Sequence, residues 1–350
     1  MGKILVTGGT GYIGAHTVVE LQNSGYEVVI VDNLSNSDIK ILDQIKTITG
    51  TKPAFVKLDL RDKEGIATFL QEYNDISGVI HFAASKSVSE SVKNPLLYYD
   101  NNISTLVNLL NALAGKPVNF VFSSSCTVYG NPDEIPVTES TMPKPAASPY
   151  GYTKQMGEQI VNEFAKSAGT QCILLRYFNP AGAHPSALIG ELPIGKPENL
   201  VPAIKQTGIG KIKKMYVHGN DYPTRDGSCL RDYIHVCDIA HAHTLAIKYL
   251  QNDKNDLHCE VFNLGTGNGV TVLEVIHSFE KVSGVKLNYE IGPRRPGDII
   301  AIYANNDLAK EVLGWQPKYS LDDMMLTAWK WEQRLKRDNN IFTSQPKELN

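Results

Sequence analysis

Residues 148–154, Ser-Pro-Tyr-Gly-Tyr-Thr-Lys, set two tyrosines before one lysine, with Tyr150 four positions ahead of Lys154 and Tyr152 two ahead. Ser148 suits a helix N-cap, and Pro149 suits the first helical position, where the missing N–H has no partner in any case. The helical pattern then runs to about residue 168, with Met156, Ile160 and Phe164 as its apolar face. Residues four apart stack on a helix, so Tyr150 and Lys154 share a face while Tyr152 points roughly 200° away. Taken alone, Tyr-x-x-x-Lys also fits a tyrosine and a lysine meeting on a solvated surface. The chemical reading is proton transfer at a hydroxyl. A free phenol titrates near about 10, too high for a base at neutral pH, and both a nearby ammonium and an oxidised nicotinamide favour its ionised form. Removing a hydride from a carbinol carbon requires its hydroxyl proton to leave, so the pair suits a nicotinamide-dependent oxidation.

The N-terminus supplies a site for such a cofactor. The run Thr-Gly-Gly-Thr-Gly-Tyr-Ile-Gly at 7–14 places Gly8, Gly9, Gly11 and Gly14 between a strand pattern and a helix pattern. A turn of this kind lets backbone N–H groups and a helix N-terminus meet a pyrophosphate. Asp32 closes the second strand pattern eighteen residues after Gly14. A carboxylate there binds both hydroxyls of an adenosine ribose and repels a 2′-phosphate. No Lys or Arg stands between Asn33 and Asp38 to offset that repulsion, so NAD is expected rather than NADP. Ser123, Ser124 and Ser125 end a fifth strand pattern at the sheet edge where ligands of such folds bind.

The elements that must position these groups alternate from the first residue. Strand patterns KILVTG, YEVVIVD, AFVKLD, SGVIHFAA, NFVFSSS and QCILLRYFN are separated by helical stretches, among them 12–24 and 95–114. Near-continuous apolar strands alternating with helices predict an α/β fold, a Rossmann-like doubly wound parallel sheet. The pattern changes after Asn179, where 180–230 is rich in Pro and Gly. We expect an NAD-binding domain over 1–180 and a smaller substrate lobe over 181–340, with about 232–265 returning to the first. The polar tail from about 338 is expected to fray.

At 350 residues the chain exceeds the usual size of a single core, and 42% apolar with 20% charged residues is ordinary for a globular enzyme. A net charge of −3 without a basic block argues against nucleic acid and anionic membranes as partners. The strand and glycine turn at the very start leave no room for a signal peptide. Five cysteines without C-x-x-C spacing read as free thiols of a reducing cytoplasm, and nine scattered histidines form no metal-ligand pattern.

The glycine turn, the strand-five serine and Tyr-x-x-x-Lys together resemble the extended short-chain dehydrogenase/reductase family. Over nearly the whole chain the resemblance narrows to its UDP-hexose 4-epimerases. VTGGTGYIGAHT, VDNLSNS, VIHFAASKSVSESV, YYDNN, FSSSCTVYG, SPYGYTK, LLRYFNPAGAHPS, GNDYPTRDGSCLRDYIHV and RRPGD carry it. The resemblance implies Ser125, Tyr150 and Lys154 as catalytic residues. It implies NAD contacts from Gly8, Gly11, Tyr12, Ile13, Gly14, Asp32, Asn33, Asp59, Leu60, Phe82, Ala83, Lys86, Asn101 and Phe178, besides Tyr150 and Lys154. Asn179, Asn199, Arg231 and Arg295 would hold the nucleotide sugar, with Ser125 and Tyr150 at its reacting end; the arginines suit a diphosphate because it rewards forked donors. The implied activity interconverts UDP-glucose and UDP-galactose through a 4-keto sugar, in a homodimer paired through helices at about 95–114 and 149–168. Ala187 stands where the family commonly has Gly.

Other readings share the scaffold. Related 4,6-dehydratases carry Asp-Glu just after the strand-five hydroxyl, and decarboxylases usually keep the Glu; here those places hold Cys126 and Thr127. An inactive NAD-binding regulator is the remaining alternative. The resemblance also sets Ile302, four residues after Asp298, beside the sugar 2-substituent, where tyrosine admits only a hydroxyl and a small residue admits N-acetyl. Isoleucine is smaller than tyrosine but stiff at χ1, so weaker turnover of UDP-N-acetylglucosamine is expected beside the main substrates. A one-residue change of register would put Tyr303 there instead.

Overall fold

Ile4-Leu5-Val6 offers water no polar side chain, and it lies fully buried at the centre of the molecule. The computed structural model describes residues 2–192, 197, 199–252, 258–295, 299–338 and 342. The first half reads β1 (Lys3–Thr7), α1 (Tyr12–Asn23), β2 (Val28–Asp32), α2 (Ile41–Thr49), β3 (Ala54–Lys57), α3 (Lys63–Glu72) and β4 (Ile76–His81). It continues through α4 (Val88–Lys93), α5 (Pro95–Tyr99), α6 (Thr105–Leu113), β5 (Asn119–Ser125), α7 (Pro149–Ala168) and β6 (Cys172–Tyr177). The second half reads β7 (Asn179–Ala181), α8 (Leu200–Gly208), β8 (Met215–His218), β9 (Leu230–Arg231), β10 (Tyr233–His235), α9 (Val236–Gln251) and β11 (Cys259–Leu264). β12 (Val270–Thr271), α10 (Val272–Ser283), β13 (Tyr289–Gly292), β14 (Ala301–Ile302), α11 (Asp307–Leu313) and α12 (Leu321–Arg337) complete it.

Seven strands form one sheet in the order β11-β6-β5-β4-β1-β2-β3, every pair parallel. Its Rossmann-like winding follows from strands too apolar to face water on either side. Helices α1, α2 and α9 cover one face through Val18, Leu21, Ile45 and Ile247. Helices α3, α6 and α7 cover the other through Leu70, Leu106, Leu109 and Val161. The chain winds outward from β1 to β3 and then crosses back to β4. The crevice of such a fold opens at that reversal, beyond the carboxyl ends of β1 and β4.

Two helical expectations change. The stretch 95–114 is not one helix, because a wider π-helical turn at Asp100–Ser104 separates α5 from α6. Asn102 lies in this turn, where its amide donates to the Ser85 carbonyl and to Thr153 Oγ1, both at 3.0 Å, and tethers it to the loop after β4. In α7 the core face is Gly157, Val161 and Ala165, not Met156-Ile160-Phe164. Met156 is 41% exposed, while Ile160 and Phe164 only flank the core. Gly157 sets this rotation, since a Cβ there would stand 2.6 Å from the Phe122 ring of β5. The absent side chain lets α7 lie hard against the sheet.

The second half packs α8, α10 and α12 around the β8–β13 pair, with Ile204, Met215, Phe279, Met325 and Trp329 at the centre. A small sheet β12-β9-β14 and the β7–β10 pair link it to the first. Residues 339–341 and 343–350 of the polar tail, with Asp298 and the Pro296-Gly297 before it, lie outside the described residues.

Candidate active site

The glycine turn after β1 closes on itself. A Cβ on Gly14 would stand 2.2 Å from the Gly8 carbonyl oxygen, so α1 can start against the turn only because position 14 has no side chain. Gly11 is the N-cap of α1, and Tyr12 and Ile13 form its first turn. The Tyr12 hydroxyl donates to the Gly182 carbonyl at 2.7 Å. Asp32 at the tip of β2 accepts from the Thr10 N–H at 3.2 Å and the Leu34 N–H at 2.8 Å. These contacts aim its carboxylate across the turn, and Leu34 takes the left-handed region at φ 61 to allow it.

Asn33, Ser35, Lys57, Leu58, Asp59 and Arg61 line a cleft beside Asp32. Lys57 and Arg61 bring positive charge that the stretch 33–38 lacks. Arg61 is committed, however, forking onto Asp59 at 3.0 and 2.8 Å and holding that carboxyl well below the usual range. Asn33 donates to the same Asp59 at 3.1 Å, and the next residue, Leu60, is buried. Phe82 and Ala83 continue from β4, their N–H groups donating to Thr7 O at 3.0 Å and Thr7 Oγ1 at 3.4 Å. Asn101 donates to Ser85 Oγ at 3.2 Å. Lys86 pairs with Glu191 of the second half at 3.0 Å, its ammonium 5.8 Å from the centre of the Tyr12 ring. The side-chain-free turn, the tethered Asp32 and the open cleft fit a dinucleotide.

Tyr150 and Lys154 reach the same edge from α7. The Ser148 hydroxyl caps the helix by accepting the Gly151 N–H at 3.2 Å. Lys154 is buried, donates to the Ser123 carbonyl at 2.6 Å and lies 5.9 Å from the centre of the Tyr150 ring. Tyr150 meets the Ser125 hydroxyl. Tyr152 is 41% exposed, so of the two tyrosines only Tyr150 is buried beside Lys154. Burial pushes the Tyr150 phenol up to about 12 against the pull of Ser125. It pushes Lys154 down to about 8 against the pull of Glu158. The chain's own groups therefore do not depress the phenol as the sequence argument expects, because desolvation outweighs them; a cationic cofactor ring would act in the opposite sense.

Sequence reasoning placed Ser123 and Ser124 at the strand end but missed the groups they meet behind this trio. Ser124 donates to Glu158, and Arg176 forks onto the same carboxylate at 2.8 and 2.6 Å, all three buried. Arg176 also donates to the Tyr129 hydroxyl at 3.0 Å, which donates to Asn263 at 2.6 Å. Ser123 is hydrogen-bonded to Tyr177. His81 at the end of β4 feels the Lys154 charge, and burial lowers it to about 3. The signal within reach was the spacing of Glu158, four residues beyond Lys154.

The residues expected on the sugar side come from both halves. Phe178 and Ile302 are buried in one apolar cluster with Val128, Tyr129 and Val137, and Cys126 packs against it. Ile302 is the register partner of Arg231 across β14 and β9. The Arg231 charge acts on the Cys126 thiol, which burial raises to about 12. Arg231 and Arg295 both act on the buried Tyr233 phenol. Asn179 opens β7, its N–H donating to Asp232 O at 2.9 Å, and Asn199 is the N-cap of α8. Cys126, Arg231 and Ile302 thus meet beside Ser125, while Asn199 stands in the second half. Ala187 has φ 54, the conformation for which glycine is the ordinary residue.

A family model described as GDP-mannose 4,6 dehydratase matches residues 5–327. The chain is 49% identical over 331 residues to the UDP-glucose 4-epimerase of Bacillus subtilis, covering 94% of this chain and 96% of that one. It is similar to a solved UDP-glucose 4-epimerase from Stenotrophomonas maltophila with bound NAD and formylated UDP-arabinopyranose. The TM-score there is 0.93 at 48% identity, with 96% of this chain and 99% of that one covered. The Bifidobacterium longum UDP-glucose 4-epimerase, in complex with NAD+ and UDP, gives a TM-score of 0.90 at 43% identity over 97% of this chain and all of that one.

Proposed function

The chain belongs to the UDP-glucose 4-epimerase family, and we propose from that membership how its residues interconvert UDP-glucose and UDP-galactose with NAD. The observation that carries the reading is the meeting of Tyr150, Lys154 and the Ser125 hydroxyl at the sheet edge next to the Gly8–Gly14 turn. Gly8, Gly11, Tyr12, Ile13 and Asp32 would hold the pyrophosphate and adenosine ribose. Asn33, Asp59 and Leu60 suit the adenine side; Phe82, Ala83, Lys86, Asn101 and Phe178 suit the remainder. When bound, NAD supplies the acceptor and later the donor of hydride at sugar C4.

Tyr150 Oη takes the proton of the sugar 4-hydroxyl, and Ser125 Oγ holds that oxygen in line. Lys154, anchored on the Ser123 carbonyl, stabilises the phenolate. Arg231, Arg295, Asn179 and Asn199 grip the UDP while the flat 4-keto sugar turns over. Tyr150 returns the proton to the 4-oxygen on the other face, so the reaction inverts C4 without net oxidation. Cys126 and Thr127, which lack carboxylates, give a dehydratase no second acid–base pair. Incubating the protein with UDP-galactose tests the reading: an isomer of unchanged mass supports it, and loss of water or carbon dioxide would replace it. Tyr150→Phe should lower kcat by about 10²–10⁴-fold with the fold intact, because it removes one acid–base group.

Two finer statements belong to the same proposal. We take the protein to be cytoplasmic; its five cysteines are free thiols, and no helix among the described residues is long and apolar enough to cross a membrane. It pairs as a homodimer through α5, α6 and α7, where Leu96, Val107, Tyr152 and Met156 expose apolar surface.

A further inference from the structure

We propose that Glu158 is the positioning residue of the active site, holding the end of β5 and the side chain of Lys154 in working order. The inference rests on the catalytic reading above and extends it to residues that touch neither substrate nor cofactor.

Tyr150, Lys154 and Glu158 stand at successive turns of one helix face, and the last three residues of β5 each meet one of them, Ser123 through its carbonyl and Ser124 and Ser125 through their hydroxyls. Lys154 donates to the Ser123 carbonyl at 2.6 Å, Ser124 donates to Glu158, and Ser125 meets Tyr150. Along a strand, Ser124 points to the opposite face from its neighbours. A hydroxyl there cannot reach substrate together with Ser125, yet it is bonded to a buried carboxylate, which fixes the strand end from behind. The Arg176 fork holds that carboxylate in turn, from β6.

The charges around Lys154 come from every element packed on it. Tyr150 and Glu158 share its helix, and His81 ends β4. The Ser123 carbonyl belongs to β5, and Arg176 and Tyr177 to β6. Burial leaves His81 neutral, and Tyr177 is a neutral phenol pushed well above its ordinary value. Glu158, forked by Arg176, is the carboxyl group of this set, and its attraction opposes the burial that would discharge Lys154. A neutral Lys154 would leave Tyr150 without the cation that favours phenolate.

The test uses purified NAD-loaded enzyme whose wild-type form turns over UDP-galactose; absence of that turnover would overturn the catalytic reading itself and not this one. In Glu158→Gln, kcat should fall about tenfold or more with KM within about threefold. The acid limb of its kcat–pH profile should move to higher pH, because a less charged Lys154 leaves the tyrosine harder to ionise. Glu158→Asp, which keeps the charge, should restore the wild-type limb. Ser124→Ala keeps both charges and tests the strand anchor without disturbing the buried pair: kcat should fall severalfold with KM and limb unmoved. A wild-type limb in folded Glu158→Gln, or wild-type kcat in Ser124→Ala, overturns the proposal. If Glu158→Gln does not fold, the Ser124→Ala kcat decides.

Discussion

We propose that Ile302 is where a single side chain sets what the pocket admits. It is 4% exposed and packs with Phe178 and Cys126, whereas Tyr303 next to it is only partly buried and uses its carbonyl to accept the Val137 N–H at 3.0 Å. Isoleucine fills less space than tyrosine but cannot swing aside. A contact of that size discriminates by roughly 1–3 kcal/mol. Wild-type enzyme should therefore epimerise UDP-N-acetylglucosamine measurably but more slowly than UDP-glucose, and Ile302→Ser should narrow the gap by about tenfold or more. N-acetyl turnover that is absent in both forms would remove Ile302 from this role. At this scale the sequence was informative wherever spacing is local. Tyr150, Lys154 and the glycine turn are legible because four residues or fewer separate their parts. Glu158 and Arg176, the partners of Ser124, are not, since strand order, not spacing, brings β5, α7 and β6 together.

Single elements carry strain and close contacts that composition hides. Gly157 lets α7 approach Phe122, and the same approach brings Lys154 to the Ser123 carbonyl. In Gly157→Ala the new methyl must displace the Phe122 ring or the helix. Overpacking of this kind costs typically 1–3 kcal/mol, so thermal melting should show a clear drop in Tm, and kcat should fall with it as Lys154 is lifted from its anchor. An unchanged Tm would mean that the ring yields freely. Ala187 presents the opposite case. At φ 54 its side chain is strained, and Ala187→Gly should raise stability or leave it level, despite the entropy glycine adds to the unfolded chain. Loss of more than about 1 kcal/mol by chemical denaturation would contradict this. The continuous apolar strands were legible because burial on both faces demands them. The π-helical turn at Asp100–Ser104 was not, since Asn102 there meets Ser85 and Thr153, partners that only the folded molecule supplies.

For the molecule as a whole, acid is the sensitive direction. Burial lowers His16 and His81 to about 3, and His235 and His243 to about 4, against about 6.5 in an unfolded chain. Because the unfolded state binds these protons first, the stability they support is present above about pH 6.5 and is lost as pH falls toward 4. Asp232, raised to about 6 by burial, works the other way between about pH 4 and 6 and offsets part of the loss. Glu139 and Asp238, also raised by burial, act in the same sense as Asp232, but the four histidines carry the larger loss, so Tm should fall steadily from pH 6.5 to 4.5; a flat profile would contradict the assignment. Assembly is the second expectation at this scale. Leu96 is 78% and Met156 41% exposed on the helices expected to pair, and we propose that a second copy covers them. Light scattering at micromolar concentration should give twice the chain mass, and Leu96→Glu with Met156→Glu should give a monomer. The small strands of the second half were illegible in the sequence because two-residue pairings such as Leu230–Arg231 with Ala301–Ile302 leave no periodic trace.

The position of β11 has a consequence for synthesis. Cys259–Leu264 pairs with β6 along Cys172–Tyr177, so an edge of the sheet is closed by residues made more than eighty positions later. A nascent chain that has emerged only as far as α9 holds β6, an entirely buried strand, as an open edge with unpaired backbone groups. Through that interval the ribosome-bound intermediate is exposed to misassociation. The same arithmetic bears on gene engineering. A stop codon near residue 180 leaves a sticky fragment rather than a usable cofactor domain, whereas a circular permutant that delivers β11 beside β6 early should fold with less help from chaperones.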